Sequence, residues 1–124
     1  MSPEDRKVLG IETSEEFMKR MVVKTERQLQ SQIVQYLRLR GIEVLWHRTD
    51  KRSAATKGWP DITFAVVSNG FPMACAYEVK FGSGTTSPGQ RKMLDMLQTR
   101  PNCWRVRVIR RFIEVVDDMR EMGL

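Results

Sequence analysis

The sequence predicts an α/β fold in the order α-β-β-β-α-β-α, a mixed sheet flanked by helices. Three observations carry that expectation. Apolar residues recur at helical spacing in three segments: Leu29, Ile33, Tyr36 and Leu37; then Met93, Leu94 and Leu97; then Phe112, Val115, Val116, Met119 and Met122. Between them lie short runs rich in β-branched and aromatic residues. Two of these runs are separated only by the turn Ser68 to Pro72, which makes them antiparallel hairpin partners. At 124 residues with 41% hydrophobic content, the chain supports one compact core and has no room for a separate substrate-binding half.

Each element follows in order. Residues 1–24 form an appendage with a weak helical signal, in which Thr13 and Glu16 fit a capping box and Phe17, Met18 and Met21 supply a short apolar face. The domain proper is expected over 25–124. Its first helix starts at the N-cap Thr25, with Gln28 three residues on, and ends at Gly41 as the C′ residue. Ile42 to Arg48 reads as a strand, followed by a polar, basic loop to Gly58. Asp61 to Val67 and Met73 to Phe81 are the hairpin strands. After a flexible Gly-Ser-Gly loop at 82–84, Ser87 caps a helix with Pro88 at its first position and Gln90 at N3, and Pro101 ends it. Alternation makes Trp104 to Ile109 the last strand, before a closing amphipathic helix.

Charge and composition narrow the function. The net charge is +6, and between Glu26 and Arg111 there are 15 bases against six acids. A body this basic expects a polyanion, most often nucleic acid, although solvated surface lysine and arginine give the same count. The longest apolar stretch, Ile62 to Val67, is far too short for a membrane span, and no secretory signal opens the chain, so a cytoplasmic protein is expected. Cys75 and Cys103 lie far apart, and His47 cannot complete a zinc tetrad with them. The 82–84 loop lacks the Gly-Lys-Ser/Thr of a phosphate-binding loop, so no nucleotide cofactor is expected.

The chemistry sits at the hairpin. Along Met73 to Phe81, alternation sends Met73, Cys75, Tyr77, Val79 and Phe81 to a core face and Ala74, Ala76, Glu78 and Lys80 to the other. The alanines clear space beside the carboxylate and ammonium at the strand end. Asp61 opens the partner strand, so the hairpin brings it to Glu78 and Lys80. Paired carboxylates beside a lysine suit a hard cation such as Mg²⁺ or Mn²⁺. Glu26 falls on the buried stripe of the first helix, either as a further acid of the site or as a complement to the helix dipole. Gln90 shares a face with Met93, Leu94 and Leu97, and reciprocal capping with Ser87 accounts for it equally well. Arg105 and Arg107 line one face of the last strand as surface or phosphate contacts, and a lone His47 beside Trp46 reads as structural.

Gly58-Trp59-Pro60-Asp61, followed after the hairpin by Glu78-Val79-Lys80, resembles the PD-(D/E)xK nuclease signature. With Glu26 upstream and Gln90 downstream, residues 25–120 are similar to the VRR-NUC (virus-type replication-repair nuclease) domain. That resemblance implies a restriction-endonuclease-like core. It also implies that Asp61 and Glu78 ligate the catalytic metal with help from the Val79 carbonyl, and that Lys80 positions the attacking water. Glu26 would complete the metal site directly or through water, and Gln90 would support the lysine or the scissile strand. Arg48, Lys51, Arg52, Lys57 and Ser87 would contact DNA, with a solvated loop the alternative for the four bases. Trp59 departs from the pattern, where smaller apolar residues are common, and residues 1–24 have no counterpart in it.

The expected function is a divalent-metal-dependent endonuclease acting on DNA. Stand-alone members of the family are similar to four-way (Holliday) junction resolvases of phages and bacteria, which act as homodimers, and paired cuts in a two-fold symmetric junction call for two subunits. A nuclease for flaps, nicks or linear duplex is the alternative enzyme. A catalytically inactive basic DNA-binding module is the alternative from another class.

Overall fold

The computed structural model of the chain describes residues 16, 21–47, 58–99 and 103–124. Among them the elements run α1 (Glu26–Leu39), β1 (Val44–Trp46), β2 (Ile62–Ser68), β3 (Phe71–Val79), α2 (Pro88–Gln98), β4 (Trp104–Ile109) and α3 (Phe112–Glu121). The fold is α/β, with a four-stranded mixed sheet in the order β1-β2-β3-β4. The first three strands are antiparallel, and β4 lies parallel to β3 across the α2 connection.

Local chemistry explains the boundaries. Thr25 caps α1 by accepting a hydrogen bond from the Gln28 amide at 3.1 Å, but the reciprocal half of the box reaches one residue further back, where Gln28 Oε1 accepts from the Lys24 amide at 2.7 Å. Gly41, at φ 79°, takes the left-handed conformation that ends α1. The hairpin turns on Asn69 and Gly70 alone, both at positive φ, as a type I′ turn requires. This tight turn lengthens both strands into the expected Ser68 to Pro72 turn, so β2 reaches Ser68 and β3 starts at Phe71. At the other ends the strands stop short of expectation, before Lys80 and after Asp61. β1 keeps only three of the seven residues expected from Ile42 to Arg48. The expected appendage at 1–24 and the loop bases Arg48, Lys51, Arg52 and Lys57 lie outside the described residues, apart from Glu16 and residues 21–24.

Helices cover the two faces unequally. On the first face Ile62, Phe64, Cys75, Tyr77, Val79 and Ile109 pack beneath α1 and α3 in the principal core. Tyr36 of α1 meets Phe112 of α3 edge to face at 5.0 Å, tying the two helices together. On the second face a smaller cluster of Ala76, Leu94, Leu97 and Val106 is covered by α2. The alanine side of β3 is therefore partly filled, not left clear. Over β1 and β2 that same face stays open, with Leu45, Ala65 and Val67 exposed. No helix among the described residues is long and apolar enough to cross a membrane.

Candidate active site

Strand register brings the site together. Ile62 pairs with Tyr77, so one step further along the antiparallel ladder places Asp61 opposite Glu78 on the second face. Both carboxylates are buried, Asp61 at 2% and Glu78 at 0% exposure, and Lys80 is 8% exposed. Burial at this level requires polar partners for the acids. Asp61 Oδ2 accepts a hydrogen bond from the Val79 amide at 2.8 Å, and the Asp61 carbonyl accepts from the His47 amide, also at 2.8 Å. The bond from His47 continues the β1–β2 ladder past its last formal pair, and the bond from Val79 ties the Asp61 side chain to β3.

Gln90 organises the other half. Its Nε2 donates to Glu78 Oε1 at 3.0 Å, while its Oε1 accepts from Lys80 Nζ at 3.1 Å and from the Ser87 amide at 2.9 Å. The capping box is complete, because Ser87 Oγ accepts from the Gln90 amide at 3.2 Å. Gln90 thus caps α2 and at the same time bridges Glu78 and Lys80. Lys80 Nζ lies 3.7 Å from Glu78 Oε1, an ion pair without a direct hydrogen bond. The second oxygen, Glu78 Oε2, is buried and takes no hydrogen bond.

The approach of α2 depends on Gly58. A side-chain carbon there would stand 3.3 Å from the Gly89 carbonyl oxygen in the first turn of α2, and φ is 85°. Glycine lets the segment before Asp61 lie against the helix that carries Gln90.

Four of the anticipated residues therefore meet: Asp61, Glu78, Lys80 and Gln90. Glu26 sits half-buried at the first position of α1, and no group of three or more His, Cys, Asp or Glu side chains able to hold a metal occurs among the described residues. Ser87 Oγ accepts from the Gln90 amide as the cap of α2, and the residue stays exposed with its hydroxyl proton still to donate. The Gly-Ser-Gly loop, expected to be flexible, is clasped by Arg110, whose guanidinium donates to the carbonyls of Gly82 at 3.3 Å and Gly84 at 2.7 Å.

Two clusters escaped sequence reasoning. Asp118 of α3, 4% exposed, accepts from Tyr77 Oη and from Arg105 Nε at 2.8 Å, with Arg107 Nε at 3.5 Å. This acid, with Glu121 beside Arg105, pairs both arginines with α3, Arg105 the more buried and Arg107 still half-exposed. Burial, followed by the charge of Asp118, raises the Tyr77 phenol well above its usual range, and burial pushes the Cys75 thiol up to about 12. The second cluster is an aromatic ladder: His47 meets Trp59 at 6.5 Å, and Trp59 meets Trp104 at 6.1 Å, both edge to face. The departure of Trp59 from the motif was its only sequence signal.

No family model matches the chain, and no curated protein or solved structure matches it.

Proposed function

We propose that this chain is a divalent-metal-dependent endonuclease that hydrolyses phosphodiester bonds in DNA, on a restriction-endonuclease-like PD-(D/E)xK core. The observation that carries the reading is the edge where Asp61 and Glu78 stand opposite one another with Lys80 held beside them by Gln90. The donor set fits a hard cation: two carboxylates on adjacent strands with the Val79 carbonyl next to them, all oxygen. Asp61 and Glu78 would hold it. When bound, the ion supplies charge neutralisation at the phosphate and a more acidic water.

The chain's own residues do the remaining work. Asp61 is held in place by the Val79 amide, so its other oxygen has a set direction. Lys80 keeps an ammonium on the same edge, where it orients the attacking water and opposes negative charge building on the phosphate. Gln90 positions both Glu78 and Lys80. The excess of 15 bases over six acids between Glu26 and Arg111 supports a DNA substrate. A four-way junction cut by a homodimer is the proposed substrate and assembly, on the resemblance alone.

A basic DNA-binding module without catalysis is the second reading. It is favoured by the lack of a three-ligand group among the described residues. The deciding experiment is cleavage of end-labelled four-way junction, flap and linear duplex with Mg²⁺, Mn²⁺ or EDTA, comparing wild type with Asp61→Ala. Metal-dependent nicks absent from EDTA and from the variant are expected, placed symmetrically on the junction. Binding of all three DNAs with no cut under either metal would sink the enzyme and leave the module.

A further inference from the structure

The second face of the sheet carries a cleft that the proposed chemistry does not use. It measures about 720 Å³ and is floored by Thr63 and Ala65, walled by Leu45 on one side and Trp104 on the other, with Arg38 and Glu43 at its rim. Thr63 and Ala65 follow Asp61 on the same face of the strand, at about 7 and 14 Å by strand rise. The floor therefore begins beside the carboxylates and runs away from them. Leu45 is 66% exposed, and Ala65 is exposed as well.

The wall is aromatic and braced. Trp104 meets Trp59 edge to face at 84°, and Trp59 meets His47 in the same manner at 74°. Trp59 stands two residues before Asp61, and His47 bonds the Asp61 carbonyl, so the ladder is tied to the catalytic edge. Both contacts are edge to face, a preferred aromatic arrangement that holds the rings in place, and Trp104 stays half-exposed. Small residues on the floor, a rigid indole on the wall and a strongly basic chain are the features of a slot for one flat aromatic group on a polyanion.

We propose that this cleft takes one unpaired nucleobase, stacked on Trp104, from the DNA strand whose phosphodiester lies at Asp61 and Glu78. The course of that strand rests on the nuclease reading. Trp104 is level with Ala65 through Ala74, and about 14 Å along the strand corresponds to roughly four nucleotides of a stacked strand, so the base belongs to a position a few nucleotides from the cut. DNA with a displaced base near a branch or bulge is then preferred over continuous duplex.

The test uses the Asp61→Asn chain without divalent metal and two probes, a blunt duplex containing a paired 2-aminopurine and the same duplex with that base bulged out. The bulged probe is expected to bind about tenfold tighter, with its fluorescence quenched on binding. Adding Ala65→Trp fills the floor from an exposed position and is expected to abolish both the preference and the quenching while duplex affinity holds. Trp104→Ala should do the same, and Ala65→Trp keeps the test valid if removal of the indole unfolds the chain. Equal binding of the two probes without quenching would overturn the base slot and leave the nuclease reading intact. Failure to bind either DNA would overturn both. If Ala65→Trp turns a dimer into a monomer in sedimentation while the bulge preference persists, a second copy of the chain occupies the cleft and the proposal fails.

Discussion

Two buried acids, Glu78 and Asp118, lie in the same small sheet domain and are served in opposite ways. Asp118 sits under α3 and receives direct hydrogen bonds from a phenol and a guanidinium, with a second guanidinium close by. Glu78 takes its short hydrogen bond from the neutral amide of Gln90, and its cation stands off at 3.7 Å. A carboxylate ringed by arginines is neutralised and serves to lock α3 onto β3 and β4. The contrast is between an acid bonded directly to a guanidinium and one joined to its lysine through an amide.

The largest effect that could break this contrast is at the chemical end. Asp61→Asn retains an oxygen for the Val79 amide, so the fold should persist while cleavage falls by about a thousand-fold or more, equivalent to about 4 kcal/mol of barrier. Single-turnover cleavage beside a far-ultraviolet spectrum checks it, and an active Asn variant would remove Asp61 from the chemistry. Next is Asp118→Ala, expected to cost about 3 kcal/mol of stability, the low end for a broken pair because Arg105 and Arg107 keep contact with water. Urea unfolding reads this loss. At temperatures where the variant stays folded, its cleavage rate should match wild type, and a matching loss of both would erase the distinction drawn here.

Gln90→Ala sharpens the comparison, since it removes half of a capping box and the bridge between Glu78 and Lys80 together. About 1 kcal/mol of stability and about tenfold in kcat should be lost with KM little changed. Loss of stability alone would reduce Gln90 to a cap. The smallest effect is at Tyr77. Its folded phenol titrates above the ordinary value of 10, so the unfolded chain releases that proton first and stability falls as pH rises past about 10. In Tyr77→Phe this alkaline decline should be shallower, at a cost of about 1 kcal/mol near neutrality for the lost hydrogen bond. Urea midpoints between about pH 8 and 11 decide it.

Much of this was legible in the chain because local signals agreed. Ser87, Pro88 and Gln90 encode a helix start whose geometry is local, and the structure reproduces it with both capping bonds. The alternation from Met73 onward placed Glu78 and Lys80 on one face because a strand has a period of two and the turn sets the register. What escaped was non-local. Arg105 and Arg107 alternate as surface residues do, and only the docking of α3 supplies Asp118 beneath them, 13 residues from Arg105. The half-cover of the alanine face had the same origin, since α2 reaches it through contacts distant in sequence, Gly58 against Gly89 and Leu94 and Leu97 against Ala76 and Val106. Asn69-Gly70 was readable in principle. A two-residue I′ turn already implies strands that run to Ser68 and Phe71.

The two-residue turn has a consequence for the order in which the protein becomes itself. Closing it brings Asp61 and Glu78 together over a short, entropically cheap loop, so the acids meet within the time in which an isolated hairpin forms. Lys80 and Gln90 acquire their arrangement only after α2 has folded and β4 has paired with β3 in parallel, a longer-range step that includes the bond from the Lys80 amide to the Ile109 carbonyl. The hairpin can therefore close some thirty residues before Ile109 is available, although by itself a two-stranded hairpin is only marginally stable. Asp61, Glu78, Lys80 and Gln90 take up their shared arrangement only once residue 109 is free to join the sheet.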